Sequence, residues 1–139
     1  MRVIDTIIIH CAATKPKQDI GAKEIDGWHR QRGFKKIGYH YVIRRDGTVE
    51  KGRDNAEVGA HATNHNARSI GICLVGGLDD AGKPANNFTP AQWDALLKLV
   101  REVKEAYGVK SEKIIGHNQV SNKACPCFRV PAWRVKAGL

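Results

Sequence analysis

Val3-Ile4-Asp5-Thr6-Ile7-Ile8-Ile9-His10 is the stretch on which the fold turns. Its apolar residues are β-branched and almost uninterrupted, the pattern of a strand buried on both faces beneath covering helices. The run stops at His10. A similar run, Ile70-Gly71-Ile72-Cys73-Leu74-Val75, closes on Gly76-Gly77, and a shorter one, Lys113-Ile114-Ile115-Gly116, stops at His117. Strands of this kind need helices to cover them, and the sequence between supplies two. Ala22 to Arg32 places Ile25, Trp28, His29 and Arg32 at helical spacing, with Gly33 as the stop. Trp28 is expected in the core on that stripe.

The second helix carries the fullest set of signals. Thr89 suits the N-cap, Pro90 the first helical position, and Gln92 completes a capping box. Trp93, Leu96, Leu97, Val100 and Val103 form an apolar stripe, and Gly108 marks the end. From Gly38 the period changes to two, with Tyr39, Tyr41 and Ile43 on one side and His40, Val42 and Arg44 on the other. Asp46-Gly47 then signals a hairpin, and Thr48-Val49-Glu50 begins the return strand. Asn118 to Phe128 reads as irregular, and Pro131 to Lys136 as a last helical turn. Interspersed strands and helices point to an α/β or mixed α+β class: a central mixed β-sheet flanked by helices, with residues 1–139 as one domain.

Composition narrows the classes of function. Hydrophobic residues make up 42% and charged residues 27% of the 139, values of an ordinary globular chain rather than a disordered or fibrous one. No apolar stretch approaches the ~20 residues of a membrane span. Ile7-Ile8-Ile9 is too short for a signal-peptide core, so the protein is expected to be soluble and cytoplasmic as synthesised. Twenty-three Lys and Arg against 14 Asp and Glu give a net charge of +9, which favours a polyanionic partner such as a cell wall. The basic residues are scattered and no recognition module accompanies them, so sequence-specific nucleic-acid binding is not expected. Cys11, Cys73, Cys125 and Cys127 do not resemble a disulfide scaffold, which leaves a thiol for chemistry.

His10 and His117 share a placement, each directly after a buried strand. If both strands lie in one sheet, two imidazoles meet on a rigid base. Cys125 follows His117 by eight residues, in a loop. Two imidazoles and a thiolate suit zinc, whose catalytic sites keep a fourth position for water. Copper of the blue type wants an axial methionine, and the sole methionine is Met1. A nucleoside-deaminase site wants His-x-Glu and Pro-Cys-x-x-Cys, and neither occurs. Two other readings stand beside zinc: a Cys-His hydrolase pairing Cys125 with either histidine, and plain hydrogen-bonded histidines at strand ends.

The chain resembles the zinc-dependent N-acetylmuramoyl-L-alanine amidases of the phage lysozyme type, the amidase_2 family, which is related to the peptidoglycan recognition proteins. The resemblance rests on Ile8-Ile9-His10-Cys11-Ala12-Ala13-Thr14, Gly38-Tyr39-His40-Tyr41-Val42-Ile43 and Arg45-Asp46-Gly47-Thr48-Val49. It continues through Val58-Gly59-Ala60-His61-Ala62, Asn66 with Ser69-Ile70-Gly71-Ile72, Asn87 to Gln92, and Gly116-His117 with Lys123-Ala124-Cys125-Pro126.

The resemblance implies a peptidoglycan hydrolase, an endolysin, that cuts the amide between the lactyl group of N-acetylmuramic acid and L-alanine of the stem peptide. It implies one Zn2+ per chain on His10, His117 and Cys125, with Tyr39 and Lys123 as catalytic residues. His61 and Asn66 match a stretch that lines the substrate groove in relatives, which makes them expected substrate contacts. Peptidoglycan is then the partner, reached after membrane permeabilisation, and the chain is expected to act as a monomer. A non-catalytic peptidoglycan-binding module, or a regulatory protein-binding module, is the alternative. His29 and His40 are expected to pack or to lie at the surface. Cys127 stands where relatives often carry serine or glycine, and it offers a second thiol two residues from Cys125. Two ligands on so short a loop would crowd a tetrahedron, so Cys125 is the expected ligand.

Overall fold

The computed structural model describes residues 2–139. Five strands form one sheet: β1 (Thr6–Cys11), β2 (Tyr41–Ile43), β3 (Val49–Lys51), β4 (Ser69–Leu74) and β5 (Ile114–Gly116). Three helices accompany them: α1 (Ala22–Gln31), α2 (Pro90–Tyr107) and α3 (Val130–Lys136). The strand order is β3-β2-β4-β1-β5, parallel except where the hairpin makes β2 and β3 antiparallel. This is the mixed sheet flanked by helices that the sequence implies.

Alternation along β1 divides the molecule into layers. Ile7, Ile9 and Cys11 join Ile70, Ile72 and Leu74 of β4 on the face covered by α2 and α3, against Leu96, Leu99, Val100, Val103 and Val130. The opposite face carries Val42, Cys73 and Val75 beneath Ile25 of α1. Each fully buried Ile or Leu side chain contributes about 1.5–3 kcal/mol. His10 must therefore project to the α1 side, where less helix covers the sheet.

Helix α2 begins as its sequence signals require. Thr89 Oγ1 accepts the Gln92 N–H at 3.1 Å, and Gln92 Oε1 accepts the Thr89 N–H at 3.0 Å. Gly108 ends it at φ 66°, the left-handed conformation that costs glycine least. Gln92 does more than cap. Wholly buried, it donates through Nε2 to the carbonyls of Ile43 (3.2 Å) and Val75 (2.7 Å), fastening the helix to the ends of β2 and β4. The core stripe runs through Leu96, Leu99, Val100 and Val103, while Leu97 is half-buried. Trp93 is also half-buried, in an aromatic group where Phe88 and Phe128 meet its ring edge-on and Trp133 lies tilted beside it.

Two expectations need correction. Trp28 does not enter the core: it is 38% exposed, because Ile25 and His29, one turn apart, form the seam of α1 on the sheet and turn Trp28 outward. Tyr39 is not in a strand. The ladder of β2 starts at Tyr41, preceded by the bond from His40 N–H to the Gly71 carbonyl (2.9 Å), and Tyr39 precedes it at the edge of a groove.

Candidate metal centre and groove

β1 and β5 are neighbours, in register with Ile9 opposite Gly116. One further residue on each strand brings His10 level with His117, and their ring centroids lie 4.5 Å apart. Each imidazole thus stands at the carboxyl end of a parallel strand, on a rigid floor. The loop after β5 returns Cys125 to the same place, where the Cys11 backbone N–H donates to Cys125 Sγ at 3.1 Å. Ligand atoms of His10, His117 and Cys125 all fall within 4.8 Å of one another.

The protonation of the two imidazoles suits metal ligation. Burial, then the neighbouring His61, His117 and Lys123, hold His10 well below the ordinary imidazole range; burial and Lys123 lower His117 as well. Both rings are neutral at pH 7, so each has a lone pair to offer. Two neutral imidazoles and a sulfur from a half-buried cysteine make the nitrogen and sulfur donor set that zinc takes. The residues fit the metal.

Cys127 faces elsewhere. Its thiol donates to the Gly77 carbonyl at 3.3 Å, and its sulfur lies 3.9 Å from that of Cys11, on the α2 side of the sheet. Burial pushes Cys127 up to about 11, so it remains a thiol near neutrality.

His10, 1% exposed, lies buried against His117, which with Cys125 lines a groove of roughly 440 Å3. Tyr39, half-buried, lines it with its ring 5.0 Å from that of His10, and burial raises its phenol well above the usual value. Lys123 stands exposed on the rim beside His117. The far wall is built at the end of α1, where the Arg32 guanidinium lies 5.4 Å from the centre of the Phe34 ring.

His61 and Asn66 also line the groove, with their polar atoms already engaged. Asn66 Oδ1 accepts the backbone N–H groups of His61 and Ala62, both at 2.9 Å, and so shapes the loop that carries His61. His61 Nδ1 lies 2.8 Å from His10 Nε2, and its Nε2 lies 3.1 Å from Ser69 Oγ. Burial, with the nearby His40 and His117, pushes His61 down to about 3, so this ring is neutral too. His29 and His40 pack, as expected: His29 Nδ1 accepts the Gly38 N–H at 2.9 Å, and His40 Nδ1 accepts the Gly71 N–H at 3.0 Å.

Sequence reasoning missed Ser69 and Gly71. An ideal Cβ on Gly71 would lie 2.6 Å from His61 Cγ, so this strand residue is small because the His61 ring rests on it. No local signal reveals either role, since both depend on a loop crossing a strand.

Comparison with known proteins agrees with this geometry. Residues 1–128 match the Amidase_2 family, described as N-acetylmuramoyl-L-alanine amidase. The endolysin of Escherichia phage T7 is 48% identical over 129 residues, covering 93% of this chain and 84% of its own length. That of Klebsiella phage KP32 is 48% identical over 127 residues, covering 91% and 83%. Among solved structures, the N-acetylmuramoyl-L-alanine amidase LysC from Clostridium intestinale URNW superposes with a TM-score of 0.83 at 32% identity, covering 99% of this chain and 85% of that one. Matched over residues 1–128 and nearly half identical to these endolysins along most of its length, the chain belongs to the N-acetylmuramoyl-L-alanine amidase family.

Proposed function

We propose that this protein is an endolysin that hydrolyses the amide joining the lactyl group of N-acetylmuramic acid to L-alanine, with one zinc ion held by His10, His117 and Cys125. The convergence of those three donors within 4.8 Å carries the reading. Bound there, zinc supplies a water of pKa near ~7 and a Lewis acid for the scissile carbonyl.

The chain's own residues account for the rest. As the amide carbon becomes tetrahedral, negative charge gathers on the former carbonyl oxygen. The Lys123 ammonium, on the rim above the cluster, is suited to stabilise it, an electrostatic contribution that grows as the substrate excludes water. Tyr39 keeps its proton at neutral pH, so its hydroxyl serves as a hydrogen-bond donor that orients the attacking water or the carbonyl. His61 and Asn66 form the wall along which the stem peptide lies. A net charge of +9 favours approach to an anionic envelope, reached from the cytoplasm through a permeabilised membrane. No helix among the described residues is long and apolar enough to cross a membrane itself.

The test is digestion of purified sacculi with labelling of new amino termini. Untreated protein should release N-terminal L-alanine, chelated protein should not, and added zinc should restore release. Full activity after verified removal of metal would reject the zinc assignment, and new reducing sugar ends without new amino termini would reject the amidase reading.

A further inference from the structure

His61 is the buried polar group that the reaction leaves without chemistry of its own. It is buried, and its ring nitrogens meet His10 and Ser69 rather than a carboxylate. It is wedged against the bare backbones of Gly71 and Gly59, and joined to a proposed metal ligand 51 residues away. The direction of the hydrogen bonds around it follows by elimination. The His65 carbonyl can only accept, and it lies 2.7 Å from Ser69 Oγ, so the single Ser69 hydroxyl proton is committed there. Ser69 Oγ therefore faces His61 Nε2 as an acceptor, and Nε2 carries the His61 proton. His61 Nδ1 is then a lone pair, and the one proton between the two rings belongs to His10 Nε2. What remains on His10 is Nδ1, unprotonated.

We infer that His61, oriented by Ser69, is a positioning residue for the metal centre: it fixes His10 as the Nε2-protonated tautomer and so presents Nδ1 as the ligand atom. The inference rests on the zinc reading above and adds the device that prepares one ligand. Without it, a neutral imidazole divides between two tautomers and two ring orientations, and part of the population shows the metal an N–H. Partners of this kind commonly change metal affinity about 10–100-fold when removed. The reverse arrangement would have Ser69 donating to His61 and His61 Nδ1–H donating to His10. It leaves the His65 carbonyl without that proton and places a proton on His10 Nδ1.

The experiment measures zinc affinity by chelator competition, alongside the imidazole 15N–1H two-bond spectrum of the metal-free wild type. Wild type should show His10 and His61 both protonated at Nε2. His61→Leu should weaken zinc about 10–100-fold. His61→Asn, whose amide oxygen can sit where Nδ1 was, should recover most of that loss, and Ser69→Ala should fall between. Metal-free urea unfolding of each variant separates a folding defect from a lost ligand preference. Should His61→Leu fail to fold, Ser69→Ala and the wild-type spectrum still decide. A His10 protonated at Nδ1, or zinc affinity unchanged in folded His61→Leu or Ser69→Ala, would overturn the inference. Absence of zinc binding by wild type would instead refute the metal assignment itself.

Discussion

Replacing Gly71 by alanine tests the packing that holds His61. The added Cβ would meet His61 Cγ at 2.6 Å and Cδ2 and Nδ1 at 2.7 Å. Reaching ordinary contact at 3.4 Å needs a displacement of about 0.8 Å. The strand cannot supply it, since β4 is bonded to β1 on one side and β2 on the other. The ring must move instead, and 0.8 Å directed away from His10 would stretch the 2.8 Å bond to about 3.6 Å, beyond hydrogen-bond range. Overpacking of this kind costs about 1–3 kcal/mol, set against about 0.5–1 kcal/mol gained by removing a strand glycine. Gly71→Ala should therefore be destabilised by up to about 2.5 kcal/mol without metal, and should also bind zinc more weakly. Gly27, inside α1 with nothing within 4 Å of its added Cβ, provides the opposite case. Gly27→Ala should be more stable by about 0.5–1 kcal/mol with zinc affinity unchanged. Urea unfolding of the metal-free proteins and chelator competition read both quantities. A Gly71→Ala protein at least as stable as wild type, with the same zinc affinity, would show that nothing fixes the ring.

Two further outcomes are expected. Cys125→Ser should lose stoichiometric zinc and Cys127→Ser should retain it, measured as metal content after gel filtration, because only Cys125 faces the two histidines; the reverse result would move the ligand role to Cys127. Metal-free stability should fall as pH drops from about 6.5 towards 4, because burial holds folded His40 at about 4 while the unfolded chain takes up its proton first. Arg2, Lys51 and Arg53 push His40 the same way, and the Glu57 carbonyl opposes them. The contribution is at most about 3 kcal/mol, fully present above pH 6.5. His40→Asn should flatten that part of the urea midpoint profile; an unchanged slope would assign the acid sensitivity to other groups.

The large features of this fold were legible because each rests on a local pattern. β1 and β4 declare themselves by continuous β-branched runs, and α2 by a cap, a stripe and a terminal glycine. The proposed ligands were legible for a related reason: a histidine that ends a buried strand lies where a parallel sheet gathers its strand ends. Trp28 escaped because periodicity gives the apolar stripe of α1 but not which part of it meets the sheet. Leu97 and Leu99 exchanged importance within one turn for the same reason. Tyr39 read as a strand residue because alternation continues across the point where pairing begins.

The connections that sequence could not supply are those made between chain segments far apart. His10 meets His61 across 51 residues, and Cys11 meets Cys125 across 114. No period or spacing encodes such a contact; it exists only once β1 lies between β4 and β5. That order gives the proposed centre its character. β5 supplies one imidazole from one side of β1. β4 supplies Ser69 and the bare Gly71 surface from the other, so His10 is fixed from both flanks of its own strand. A site assembled this way acquires its ligand geometry from sheet formation before any metal arrives. The entropy of ordering those side chains is then met by folding rather than by binding. Loosening either flank should weaken zinc even where all three donors are intact, so affinity loss in Ser69→Ala or Gly71→Ala separates a preorganised site from one that the metal assembles for itself.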